Sequence, residues 1–139
     1  MKVIFIKIKL IELLFGLFLI IPISAQSNIS LLETEKVKDY LSLSSQQSEK
    51  INPMIEQIRT ILEEDRKIIS KIKERVKNDD EPGFFEKIGI KRGRDSRTGD
   101  IEYLIEEIKN QLNDYQKIKF ENIEKPGLKA LKKEDVLGK

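Results

Sequence analysis

Residues 45–77 read SQQSEKINPMIEQIRTILEEDRKIISKIKERVK, and the spacing of their apolar side chains decides the fold. Ile51, Met54, Ile55, Ile58, Ile61, Leu62, Ile68, Ile69, Ile72 and Val76 recur at steps of three and four, the period of one face of an α-helix. Asp65 is the one polar break in that stripe. The positions between are charged, with Glu63 and Lys67 at the favourable four-residue spacing. The pattern predicts a helix from about Ser45 to Lys77, roughly 50 Å long at 1.5 Å per residue. Pro53 lies within it and has no amide to donate, which predicts a kink or the separation of the first two turns.

Upstream, Ser30-Leu31-Leu32-Glu33 has the form of a capping box and predicts a helix from about Leu31 to Leu41, with Leu32, Val37, Tyr40 and Leu41 on its apolar side. Downstream, Asn78-Asp79-Asp80-Glu81-Pro82-Gly83 ends the long helix. The residues that follow, 79–99, read as a loop that mixes Phe84, Phe85, Ile88 and Ile90 with Lys87, Lys91, Arg92, Arg94 and Arg97. A third helix is expected from near Asp100, with Ile101, Leu104, Ile105, Ile108, Leu112, Tyr115, Ile118 and Ile123 on one side, stopped by Pro126-Gly127. No stretch alternates as a strand would. The expectation is an all-α fold, a small hairpin of three to four amphipathic helices over 26–127, followed by a basic, frayed tail at 128–139. So thin a hairpin has one apolar face more than it can cover, which predicts a homodimer.

The amino terminus is of a different kind. Lys2, Lys7 and Lys9 precede an apolar run from Leu13 to Ile23, and Ser24-Ala25 offers a small residue for cleavage. The uncharged core of that run is 11 residues long, against about 20 for a spanning helix. A signal peptide at 1–25, cut near Ala25, is therefore expected in preference to an uncleaved anchor, and with it a periplasmic location. No cysteine follows the run, so a lipid-modified cysteine is excluded. Residues 1–25 hold three lysines and Glu12, so of the 26 basic and 24 acidic residues in the chain, 23 of each remain after cleavage. A formally neutral chain lacks the positive excess with which nucleic-acid binders displace counterions.

Catalytic machinery is not visible. Histidine and cysteine are absent, and no glycine-rich phosphate loop follows a strand. Glu63, Glu64 and Asp65, or Glu106 and Glu107, fall on what reads as a solvated helix face with nothing to enclose them. The ligands that select transition metals are missing, leaving only loose carboxylate binding of a hard ion. No enzyme, no cofactor and no metal site are expected.

Two short segments share a pattern. Leu43-Ser44-Ser45-Gln46-Gln47 opens the long helix, and Leu112-Asn113-Asp114-Tyr115-Gln116 lies in the third. Each is an apolar residue, a helix-capping residue and a glutamine three positions on. The Ser44 hydroxyl accepts from the Gln47 amide, the Gln47 side chain reaches back to Ser44, and Leu43 sets the angle of entry by packing inward. The second copy either caps a helix of its own or sits in mid-helix with Asn113 and Gln116 facing water or a partner.

On these residues the chain resembles the periplasmic Spy/CpxP group, whose members carry two Leu-Thr-x-x-Gln motifs on a small helical domain behind a signal peptide. Leu41 to Arg66, with Pro53 a few residues after the first motif, looks like the opening of that family's long helix, and Leu112 to Ile123 like its second motif. Ser44 and Asn113 stand where the family has threonine, and the lack of histidine sets the chain apart from the zinc-binding and metal-sensing branches of that superfamily. The resemblance implies an ATP-independent chaperone, an antiparallel dimer whose curved cradle holds partly unfolded envelope proteins. Phe84, Phe85, Ile88 and Ile90, with Lys91, Arg92 and Arg94 among the basic residues, are the expected client-binding patch; the other reading is that the two phenylalanines close the hairpin's own core. Two other functions stay open: docking on an envelope-stress sensor kinase, and a response to divalent metal.

Overall fold

The structure, a computed structural model, describes residues 29–131. The signal peptide expected at 1–25, its cleavage near Ala25 and the tail from 132 onward lie outside the described residues. Four helices account for most of the rest: α1 (Thr34–Leu41), α2 (Ser45–Lys77), α3 (Phe84–Asn110) and α4 (Asp114–Phe120). The all-α class follows directly, with no strand among the described residues and one isolated parallel bridge between Ser30 and Glu124.

The chain forms a base and an arm. The long helices α2 and α3 pack against each other, while α1 lies against α4 and the start of α2. Leu31, Val37, Leu41, Leu43, Ile51, Ile55, Ile58, Ile101, Leu104, Ile108, Leu112, Phe120 and Ile123 form one buried cluster, and all of it lies in residues 31–58 and 101–123. Beyond that base the remainder of α2 and the first half of α3 continue as a two-helix arm. Ile72 is the only buried isoleucine, leucine or valine between 66 and 97, and Ile68, Ile69, Val76, Ile88 and Ile90 are half-buried.

Each helix end has a local cause. α1 ends with Ser42 in the left-handed region at φ 53°, and the amides of Ser42 and Leu43 return to the carbonyls of Asp39 and Lys38. That is the paired bonding of a Schellman stop. α2 ends in the same way, with Asp79 at φ 56° and bonds from Asp79 to Val76 and from Asp80 to Arg75. α2 itself spans 33 residues and runs unbroken through Pro53, so of the two outcomes expected there, a kink or a separation of the first two turns, the separation does not occur.

Three expectations are corrected. The loop expected over 79–99 is a turn followed by helix: α3 begins at Phe84 and passes through Gly89, Gly93 and Gly99. Its partner in the arm is α2, and that packing outweighs the cost of about 1 kcal/mol that each interior glycine imposes. The third helix expected to run from Asp100 past Ile118 instead stops at Asn110, and α4 starts afresh at Asp114. Lastly, Ser30 does not open a helix. The Glu33 carboxylate accepts from the Ser30 amide at 3.1 Å, but the Ser30 hydroxyl accepts from Leu32 at 3.4 Å, and α1 begins at Thr34. The backbone there is drawn away to Glu124, with Leu31 donating to the Glu124 carbonyl and Glu124 donating to that of Ile29, each at 2.9 Å.

Of the tail expected to fray at 128–139, the described residues 128–131 include two that are engaged. Leu128 packs on the core, and the Lys129 carbonyl accepts from Arg94 Nη2.

Candidate functional site

The two repeated motifs form matching structures and meet. Ser44 caps α2, its hydroxyl accepting from the Gln47 backbone amide at 3.2 Å while Gln47 Oε1 accepts from the Ser44 backbone amide at 3.1 Å. Asn113 caps α4 in the same manner, with bonds of 2.9 and 3.0 Å to and from Gln116. The second motif therefore starts a helix of its own. Leu43 and Leu112, one residue before each cap, are both buried. Each glutamine then turns its amide nitrogen across to the other motif. Gln47 Nε2 donates to Gln116 Oε1 at 2.8 Å and to the Gln111 carbonyl at 2.9 Å. Gln116 Nε2 donates to Gln47 Oε1 and to the Leu41 carbonyl, each at 3.2 Å.

These bonds satisfy both carboxamides and also the last carbonyls of the preceding helices, groups that a helix cannot satisfy internally. With Gln116 only 4% exposed, leaving them unmade would be costly. The α1–α2 and α3–α4 corners are thus built alike and bolted together at one point.

A second lock lies where base gives way to arm. Asp65, 6% exposed, sits between two guanidiniums from α3. Its Oδ1 accepts from Arg97 Nη2 at 2.9 Å and Nε at 3.2 Å, and its Oδ2 lies 3.3 Å from Arg94 Nη1. The polar break in the α2 stripe is therefore an ion cluster joining the two long helices. Arg94 and Arg97 are spaced three apart on α3, so both reach the same carboxylate.

The tip of the arm is tied by Arg75. Its Nε lies 2.8 Å from Asp80 Oδ2, and its Nη1 pairs with Glu86 at the start of α3. Asp80, then Glu86, hold the guanidinium above its ordinary value, and in return Arg75 keeps both carboxyls below theirs. Lys87 pairs with Glu81 at 3.7 Å. In the base, Lys125 is pushed down, chiefly by burial and against the pull of Glu121, with its ammonium 4.4 Å from the Phe120 ring centroid.

The expected client-binding residues divide into two groups. Phe84 and Phe85, 72% and 85% exposed, open α3 as an edge-to-face pair with ring centroids 5.5 Å apart. They do not close the hairpin's core. Lys91 and Arg92 are exposed, and Ile88 and Ile90 are half-buried. Arg94 departs from the expectation: its side chain is 12% exposed and committed to Asp65 and Lys129, so it is part of the frame and not a free cation. Next to it, Lys87, Ile90, Lys91, Arg94, Asp95 and Leu131 line an open groove of about 250 Å³. Among the described residues, no group of three or more acidic, histidine or cysteine side chains is arranged to hold a metal ion.

Sequence reasoning found each glutamine box but not their meeting, which depends on a partner 69 positions away. It also missed the Asp65 cluster; the lone acid in an otherwise apolar stripe was the available signal.

Base, lock and arm together define a small all-α protein with a fixed helical base and a projecting, partly apolar two-helix arm. Compared with protein-family models, curated proteins and solved structures, the chain matches none.

Proposed function

We propose that the protein is an exported, non-enzymatic chaperone that works without ATP, holding partly unfolded envelope proteins on the arm formed by α2 and α3. The observation that carries this reading is the exposure of Phe84 and Phe85 on an arm whose Ile68, Ile69, Val76, Ile88 and Ile90 are only half-buried. Apolar groups left uncovered on a folded chain mark an interaction surface. Charges interleaved with them make encounter fast and the hold adaptable. The Gln47–Gln116 bolt supports the same reading, since a firm base lets the arm stay exposed without collapsing onto itself. A second copy laid along the arm would cover one side of it and shape the other, in keeping with the expected homodimer.

The test is suppression of aggregation. Purified protein, without nucleotide, is expected to keep an unfolding client soluble at a molar ratio near one, and replacing Phe84 and Phe85 with serine should weaken that effect severalfold. No suppression at large molar excess would overturn the proposal. Recovery of a single membrane protein in a pull-down would instead favour docking on one sensor.

A further inference from the structure

Charge is partitioned along the molecule in a way that the formal balance of the chain conceals. Residues 66–97, the arm, carry eleven lysines and arginines against six acids, and nine against six once Arg94 and Arg97 are set aside as bound to Asp65 of the base. The described parts of the base, 29–65 and 98–131, carry nine against fifteen. A basic rod thus projects from an acidic base, and its far end bears two exposed phenylalanines. Near that end the acids are largely matched internally. Of Asp79, Asp80, Glu81 and Glu86, three are engaged, Asp80 and Glu86 by Arg75 and Glu81 by Lys87. Lys77, Lys91 and Arg92 remain exposed around them.

We infer that the arm docks on an anionic lipid surface, Phe84 and Phe85 entering the interfacial layer while the arm's cations face acidic headgroups. Basic residues close to aromatic or aliphatic ones that enter the headgroup boundary are the combination that holds proteins on acidic bilayers. The groove further along α3 repeats it in part, lined by the apolar Ile90 and Leu131 and by the exposed Lys91, with Lys87 paired to Glu81 and with Arg94 and Asp95 completing it. A lipid offers anionic head and acyl chain in one molecule, matching both features. The phenylalanines also open α3 directly after the turn that ends the arm, with most of each side chain exposed. A bilayer takes up such exposed rings without a preformed cavity, whereas a folded acidic protein would need one shaped to receive them.

The inference does not depend on the chaperone reading, and it is tested separately, by co-sedimentation of the chain with vesicles. Binding is expected to vesicles containing phosphatidylglycerol, to be at least about tenfold weaker to pure phosphatidylcholine, and to fall steeply as salt is raised. Phe84→Ser/Phe85→Ser and Lys91→Glu/Arg92→Glu should each weaken it about tenfold, with circular dichroism and the urea midpoint unchanged. All four side chains are exposed or peripheral, so the variants are expected to fold. Equal binding to neutral vesicles, or unchanged binding in both variants, would overturn the inference. Displacement of the vesicles by polyglutamate at matched charge would reassign the arm to acidic polypeptides and overturn it as well. In Lys91→Glu/Arg92→Glu, loss of vesicle binding with aggregation suppression intact would support lipid docking as an activity separate from the chaperone reading, whereas in Phe84→Ser/Phe85→Ser the same result would support lipid docking and count against the chaperone reading.

Discussion

Gln47 and Gln116 exchange hydrogen bonds through their side-chain amides, Gln47 Nε2 to Gln116 Oε1 at 2.8 Å and Gln116 Nε2 to Gln47 Oε1 at 3.2 Å. Each also caps its own helix, so each performs a local and a long-range task with one side chain. Gln116→Ala should cost about 2–3 kcal/mol, because a buried helix end loses both its cap and a donor to the Leu41 carbonyl. Gln47→Ala, at a half-buried site, should cost about 1–2 kcal/mol. Urea unfolding of the double variant should show less than the sum, by about 1 kcal/mol. Strict additivity would mean that the two amides do not cooperate.

Asp65 holds two arginines, so removing it leaves two cations facing each other in a largely dry site. Asp65→Ala is expected to destabilise by about 3 kcal/mol. Replacing Asp65, Arg94 and Arg97 together with leucine or methionine should recover most of that loss, since an apolar contact of similar volume matches a buried ion cluster in stability. Equilibrium denaturation of the single and triple variants decides the matter, and a triple variant weaker than the single one would refute the account.

Arg75 sets the acid response of the arm's tip. Asp80 and Glu86 have depressed folded values, so their contribution is present at neutral pH and is lost progressively as pH falls from the ordinary carboxylate range down through those lower folded values. In Arg75→Gln both carboxyls should titrate in the ordinary range, read by carbon NMR of the side-chain carboxyls. Glu121, held down by Lys109 in the base, serves as the control and should not move.

The interior glycines of α3 offer a stabilising test. A Cβ at Gly89 or Gly99 meets nothing within 4 Å. Gly89→Ala and Gly99→Ala should each add about 0.5–1 kcal/mol through helix propensity alone. Gly93→Ala should gain less, because its Cβ would lie 3.3 Å from Arg97 Nη1 and press on the cluster at Asp65. Thermal melts that rank the three otherwise would contradict the packing described for α3.

Phe120 and Ile118 separate core from surface within α4. Phe120 is fully buried while Ile118 is 69% exposed, although the apolar period places Ile118 on the inward side of one long helix. Phe120→Ala should cost about 3–5 kcal/mol, and Ile118→Ala less than about 0.5 kcal/mol. Comparable losses in a chemical melt would mean that α4 continues α3 after all.

Much of the fold is legible residue by residue. α2 spans Ser45 to Lys77 as its apolar period and the Ser44 box indicate, because both signals are local: a side chain three residues away and a stripe repeated every turn. The Asn113 box is equally local, yet the sequence left open whether it caps or continues a helix, since the apolar spacing runs on through it. What decides is Gln47, which becomes a neighbour only after folding. At Ser30 the same local pattern appears and loses, its backbone taken by Glu124 from the far end of the chain.

The candidate site shows the same division. Phe84, Phe85, Lys91 and Arg92 were identifiable as apolar and basic side chains set close together, but their neighbour Arg94 belongs to Asp65 and not to the surface. Four glycines and a run of cations erase the helical period from residues 83–99, so on its own that stretch reads as loop. The helical class, the long helix and its Ser44–Gln47 cap were legible in the residues alone, because those rest on hydrogen bonds and spacing within a few residues. The tertiary structure alone decided that α3 starts at Phe84, that α4 stands apart, and that the phenylalanines end on an exposed tip. Each of those outcomes depends on a partner contributed by a distant part of the chain.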